Sequence, residues 1–164
     1  MSYRNHRWLI VATVTALGIG PALAVDHAHE HEGHGSAAPT LNNGQKWSTD
    51  ASLRQGMASI KDALLPQLPA IRANTLKAAQ YQALAQQTHT QIGFMVTNCK
   101  LAPEADAQLH LIIADLGAAA EAMAGNDKKL SRQAGAMKLQ HALETYGEFF
   151  DHPGWSLPAA AHGH

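Results

Sequence analysis

The sequence predicts an all-α protein: an antiparallel up-down-up-down four-helix bundle with a disordered histidine-rich N-terminal tail. Three observations predict it. Between residues 41 and 157 alanine is abundant and β-branched runs are scarce, which favours helix at most positions. Apolar residues recur at spacings of three and four, and no alternating stretch suggests a strand. Proline and glycine fall at wide intervals, and the short connections they leave make consecutive helices antiparallel neighbours.

The first helix opens at a Ser48-Thr49-Asp50 capping signal, carries Leu53, Met57, Ile60 and Leu64 on one stripe, and ends near Pro66, with Pro69 marking the break. The second runs from about Ile71 to Cys99, with Ala78, Ala85, His89, Ile92, Val96 and Cys99 along its stripe. Pro103 suits the first turn of the third, and Glu104 and Asp106 lie where negative charge favours the positive end of the helix dipole. Its stripe is Leu109, Ile112, Leu116 and Met123, widened by Ile113 and Ala120, and Gly125-Asn126 closes it. The fourth begins near Asp127, places Leu139, Leu143, Tyr146 and Phe150 inward, and stops at His152-Pro153-Gly154. Trp47, Tyr146, Phe149, Phe150 and Trp155 flank the start of the first helix and the end of the fourth, which share one end of such a bundle. A hydrophobic plug is expected there.

Composition narrows the function. A chain of 164 residues, 46% hydrophobic, can bury a core of its own as one domain. Its lone cysteine, Cys99, excludes an intramolecular disulfide. With 12 basic against 13 acidic side chains it lacks the excess that a nucleic-acid binder needs. The anomaly is its 11 histidines.

Residues 1–24 read as a secretory signal peptide, with Arg4, His6 and Arg7 ahead of an apolar run from Trp8 to Ile19 and an Ala22-Leu23-Ala24 ending. The expected product is periplasmic, with no membrane insertion after cleavage. Residues 25–40 form a tail in which His27, His29, His31 and His34 alternate with Asp26, Glu30 and Glu32 and almost nothing can be buried. Several imidazoles on one short stretch suit borderline cations, Zn²⁺, Cu²⁺ and Ni²⁺. Residues 158–164 repeat the pattern more faintly in His162-Gly163-His164, and residues 41–157 form the bundle with its flanking segments.

Within the body, Cys99 closes the second helix with Met95 one turn before it. Together they make a soft pair for Cu(I), with His89 or Met123 as third donor. An inert buried thiol and an intermolecular disulfide are the competing readings of Cys99, and a partly buried, hydrogen-bonded side chain is that of His89. His110 reads as a surface partner of Asp106. Phosphate loops, Gly-x-Ser-x-Gly, His-Glu-x-x-His, paired Glu-x-x-His and Cys-x-x-Cys-His motifs are all missing from the sequence, so no enzymatic activity is expected.

Met57 and His141 stand at levels of the first and last helices from which they could face each other, a workable axial pair for haem iron. Leu53-Arg54-Gln55-Gly56-Met57-Ala58-Ser59-Ile60 resembles the opening of the soluble periplasmic four-helix b-type cytochromes, whose iron is held by a methionine of the first helix and a histidine of the last. The family's histidine lies very near the end of its helix, whereas His141 stands further inside and shares its face with Leu130, Ala134 and Met137. The stretches Leu41-Asn42-Asn43-Gly44-Gln45-Lys46-Trp47 and Phe150-Asp151-His152-Pro153-Gly154-Trp155 resemble those of small exported bacterial proteins described as DnrO-like. That family has no assigned activity, and the resemblance implies a respiratory or metal-stress context.

Three functions are therefore set against one another. The first is periplasmic, non-catalytic binding or buffering of copper, zinc or nickel through His27, His29, His31, His34, His162 and His164, with His89, Met95 and Cys99 in the body. The second is haem-based electron transfer through Met57 and His141. The third is a helical interaction module, without metal function, in respiratory-complex assembly or envelope stress, with an envelope protein as partner; separately, the second apolar strip Leu130, Ala134, Met137 and His141 is a candidate homodimer face.

Overall fold

The computed structural model describes residues 38–158, and they form an all-α body. The elements are β1 (Trp47–Ser48), α1 (Ala51–Leu64), a 3-10 turn (Leu65–Gln67), α2 (Leu68–Arg72), α3 (Ala78–Asn98), α4 (Pro103–Ala124), α5 (Arg132–Phe149) and β2 (Phe150–Asp151). The two short strands pair in parallel, Trp47 opposite Phe150 and Ser48 opposite Asp151. α4 packs against α5 and α3, and α3 packs against α1. Among the described residues no helix is long and apolar enough to cross a membrane.

α1 starts where the sequence predicts. Asp50 is extended, and its Oδ1 accepts from the Leu53 backbone N–H at 2.7 Å, satisfying one donor of the first turn. Leu53, Met57, Ile60 and Leu64 are fully buried. The end of this segment differs from expectation. Pro66 and Pro69 do not stop the helical path, because each occupies a first-turn position of the element that follows, where a missing N–H breaks no bond. The break comes at 73–77, where Asn74 adopts a left-handed φ of 54° and Thr75 N–H donates to Ala70 O at 2.9 Å. The second long helix therefore begins at Ala78, not Ile71, and Ile71 is a core residue of α2.

The inward face of α3 also needs correction. Tyr81, Leu84, Ala85, Thr88 and Met95 are buried, whereas His89 is exposed and Val96 is 61% exposed. Thr88 can take a core position because its hydroxyl donates to Leu84 O at 2.9 Å, which removes the cost of burying it.

α4 buries the predicted stripe, Leu109, Ile112, Leu116, Ala120 and Met123, and ends at Gly125 with φ 90°. α5 begins later than Asp127: that residue caps a turn by accepting from Lys129 N–H at 2.7 Å, and Ser131 caps the helix. The α4–α5 seam is built from small side chains. A Cβ on Gly135 would lie 2.7 Å from Ala122 Cβ and 2.8 Å from the Met123 backbone N, so glycine sets how closely the helices approach.

Candidate functional site

One end of the body is tied together by contacts between residues far apart in sequence. Asp50 accepts not only from Leu53 but, through Oδ2, from the Lys100 backbone N–H at 2.6 Å, joining the start of α1 to the turn after α3. Thr49 Oγ1 donates to Asp151 O and Lys46 Nζ donates to Gly147 O, each at 2.6 Å. The arm before β1 turns at Asn43-Gly44, and Trp47 Nε1 donates to Thr40 O at 2.6 Å. Thr40 N–H in turn donates to Gln108 Oε1 on α4 at 2.8 Å.

The segment after β2 folds onto the same end. Tyr146 stacks on Phe150 at 5.3 Å between ring centroids and meets Trp155 edge-on at 4.8 Å. Its hydroxyl lies 2.9 Å from His152 Nδ1. Burial raises the Tyr146 pKa, so the hydroxyl stays protonated and donates to the neutral imidazole. His152 is pushed down by burial and then by the charges of Arg54 and Lys61, which favours that neutral form. Lys61 Nζ sits 5.0 Å from the Trp155 ring centroid, in the range of a cation–π contact. Tyr146, Phe150, His152 and Trp155 thus gather at this end, with Trp47 partly buried against the core.

Cys99 lies at this end, beside the turn into α4. Its thiol bonds the Asp50 carboxylate. Burial first, and then the negative charge of Asp50, push its pKa up to about 12. Asp50 responds in the other direction: burial pulls it up, but bonds from Leu53 N–H, Lys100 N–H and the thiol, with Arg54 nearby, outweigh this and hold it below the usual carboxylate value. Two clefts share Lys100 and Leu101 as a wall. One of about 340 Å³ is lined by Trp47, Asp50 and Glu104, and one of about 430 Å³ by Met95, Cys99, Asp106 and His110.

The sequence-predicted donors are distributed unevenly. His27, His29, His31, His34, His162 and His164 lie outside the described residues. Met95 and Cys99 line one cleft, as a soft pair requires. Met95 is, however, fully buried over Gly56, where a Cβ would come within 2.8 Å of its sulfur. His89 does not join them. It stands ten residues before Cys99, roughly 15 Å along the helix, and its Nε2 lies 3.0 Å from Glu121 Oε1 on α4. Glu121 Oε2 accepts from Asn126 Nδ2 at 2.8 Å, so His89 belongs to a polar contact at the other end. Met123, the other third donor, is buried twenty residues into α4, roughly 30 Å from its start. Among the described residues no three His, Cys, Asp or Glu side chains cluster to hold a metal.

The axial pair is not brought together either. Met57 is fully buried in the core, whereas the His141 side chain is 79% exposed, 3.8 Å from Glu144. Met137, one turn before it on α5, is exposed as well, so this is the outward face of α5, and Leu130 lies ahead of the helix.

Sequence reading misses the second role of Asp50 and the Tyr146–His152 pair. A stop at His152-Pro153-Gly154 followed directly by a tryptophan is the one trace of a chain turning back. His110 pairs with Asp106, as the i, i+4 spacing predicts: Nδ1 lies 2.9 Å from the Asp106 carbonyl and 3.4 Å from its carboxylate.

The fold and these groups define an all-α protein whose flanking segments are bound to one end of its helices. Comparison with family models, with curated proteins and with solved structures finds no match for the chain.

Proposed function

We propose that this protein is exported to the periplasm and there binds or buffers transition-metal ions, copper, zinc or nickel, without catalysing a reaction. The observation that carries the reading is the alternating run His27, His29, His31 and His34 with acidic side chains between, after an N-terminal segment with the order of a signal peptide. The body acts as a rigid post. In support, its donors have other partners: Met95 fills the core, the Cys99 thiol bonds Asp50, and His89 faces Glu121. We read the post as an antiparallel up-down-up-down four-helix bundle. The contacts Asp50–Lys100, Trp47–Phe150 and Thr40–Gln108 support that reading, since they join the starts of α1 and α4 to the ends of α3 and α5. The DnrO-like stretches 41–47 and 150–155 fall within these ties, in keeping with a metal-stress context.

The test is calorimetry on untagged protein at neutral pH. One or more Zn²⁺ or Cu²⁺ bind per chain, and deletion of residues 25–35 removes most of that capacity. Binding weakens as pH falls below ~6.5, where free imidazoles take up protons. Absence of heat with copper, zinc and nickel overturns the proposal. A red preparation with a Soret band would replace it by the haem reading.

A further inference from the structure

We infer that residues 152–157 form a proton-operated latch, docked on α1 and α5 while the His152 imidazole is neutral and released as a unit, with the helices still folded, when that imidazole takes up a proton. The inference stands apart from the metal-binding reading. His152-Pro153-Gly154-Trp155 has proline second and glycine third with φ 77°, as a type II turn requires, and Trp155 N–H donates to His152 O at 3.0 Å to close it. The turn makes imidazole and indole one unit, their ring centroids 4.8 Å apart. That unit lies on α5. The imidazole meets Tyr146 edge-on, and the indole rests directly on Gly147, where a Cβ would come within 2.6 Å of it. Leu157 packs against the core beyond it.

Three features make docking depend on the charge of His152. Its Nδ1 lies 2.9 Å from the Tyr146 hydroxyl, which has no other hydrogen-bond partner among the described residues. A neutral imidazole accepts there. An imidazolium carries hydrogen on both nitrogens, so the hydroxyl would have to turn its own hydrogen into a fully buried site with nothing to receive it. Second, cations stand on the α1 side. Lys61 Nζ lies 5.0 Å from the Trp155 ring centroid, and Arg54 bonds Thr49, whose hydroxyl donates to the carbonyl of Asp151 next to His152. Burial first, and then Arg54 and Lys61, disfavour the charged imidazole, while the Asp151 carboxylate on β2 opposes them. From α5 the facing group is the uncharged Tyr146, on which Asp50 and Cys99 bear in turn. Third, the docked Trp155 Nε1–H is buried with no hydrogen-bond partner among the described residues. Release hydrates it, so the docked state already carries a cost.

Linkage fixes the direction. Release exposes the imidazole, which then titrates at ~6.5, whereas the docked imidazole titrates lower. Docking is therefore complete above about pH 6.5 and weakens below it, the opening constant rising up to about tenfold per pH unit until the docked imidazole itself takes up protons. The test is hydrogen exchange by mass spectrometry on the untagged full chain with a chelator present, at about pH 7.5 and about pH 5, corrected for the intrinsic exchange rate at each. The segment 151–157 is expected to open more readily at the lower pH by about threefold or more, with residues 109–123 of α4 unchanged. His152→Gln keeps a neutral acceptor for Tyr146 and should remove the dependence. Equal opening at the two pH values overturns the latch, as does a rise that persists in His152→Gln or one that α4 shares in equal measure. Should His152→Gln stand open at both pH values, the parent protein decides: an NMR titration of His152 with the same midpoint as the exchange transition upholds the latch, and a different midpoint overturns it.

Discussion

The two ends of the helical body are held in different ways. At the end where α1 begins, local aromatic contacts are joined by polar ties between residues far apart in sequence, 50 positions between Asp50 and Lys100 and 102 between Thr49 and Asp151. At the opposite end several hydrogen bonds are local, Asn126 to Glu121 and Lys129 to Asp127, and the long-range polar contacts are Gln133 Nε2 to Ile71 O and His89 to Glu121. There the helices are held by the approach of Gly135 to Ala122 and Met123. One end depends on specific groups meeting, the other on how little volume the side chains occupy.

Substitutions that remove volume from the tied end, or add it at the other, test this contrast. The largest effect is expected for Tyr146→Ala, which empties a fully buried ring position under Phe150, His152 and Trp155. A loss of about 3–5 kcal/mol by urea denaturation is expected for an aromatic side chain in a core. At the far end Gly135→Ala drives a methyl group into the α4 backbone and should cost about 1–3 kcal/mol; a neutral outcome would show that the seam has slack. Asp50→Ala removes the α1 cap together with the partner of Lys100 and Cys99, at about 1–2 kcal/mol. If the cap alone mattered, Asp50→Ser would restore all of that loss.

The smallest effects are read against pH. Cys99 holds its proton to about pH 12 in the folded protein, whereas an unfolded thiol releases it from ~8.5 upward. The unfolded chain then binds fewer protons, so stability falls as pH rises from about 9 toward 12, and Cys99→Ser should flatten that decline. The same variant should leave Zn²⁺ stoichiometry unchanged. His152 acts at the other limb. Its folded pKa is lowered, so its contribution is complete above the unfolded value of ~6.5 and diminishes as pH falls below it. His152→Gln should make the early part of the acid transition shallower.

Much of the helical pattern is legible in the sequence because α1 and α4 carry large apolar side chains at regular spacing: Leu53, Met57, Ile60 and Leu64, then Leu109, Ile112, Leu116 and Met123. α3 is harder to read. With alanine and glutamine at many positions, several faces are nearly equivalent, and the face chosen by following Ala85 to Val96 is rotated from the one that Tyr81, Leu84 and Thr88 bury. Pro66 and Pro69 mislead for a different reason, since proline breaks a helix only beyond its first turn. The candidate site is partly visible. The gathering of rings announces itself, but the bond from Asp50 to Lys100 spans 50 positions and has no local signature.

The side-by-side register of Trp47 and Phe150 has a further consequence. A linker joining residue 158 back to residue 38 could close this chain into a ring, and new termini opened between Asn126 and Leu130 would cut no helix. Such a circular permutant should fold, carrying its aromatic clasp as an internal loop.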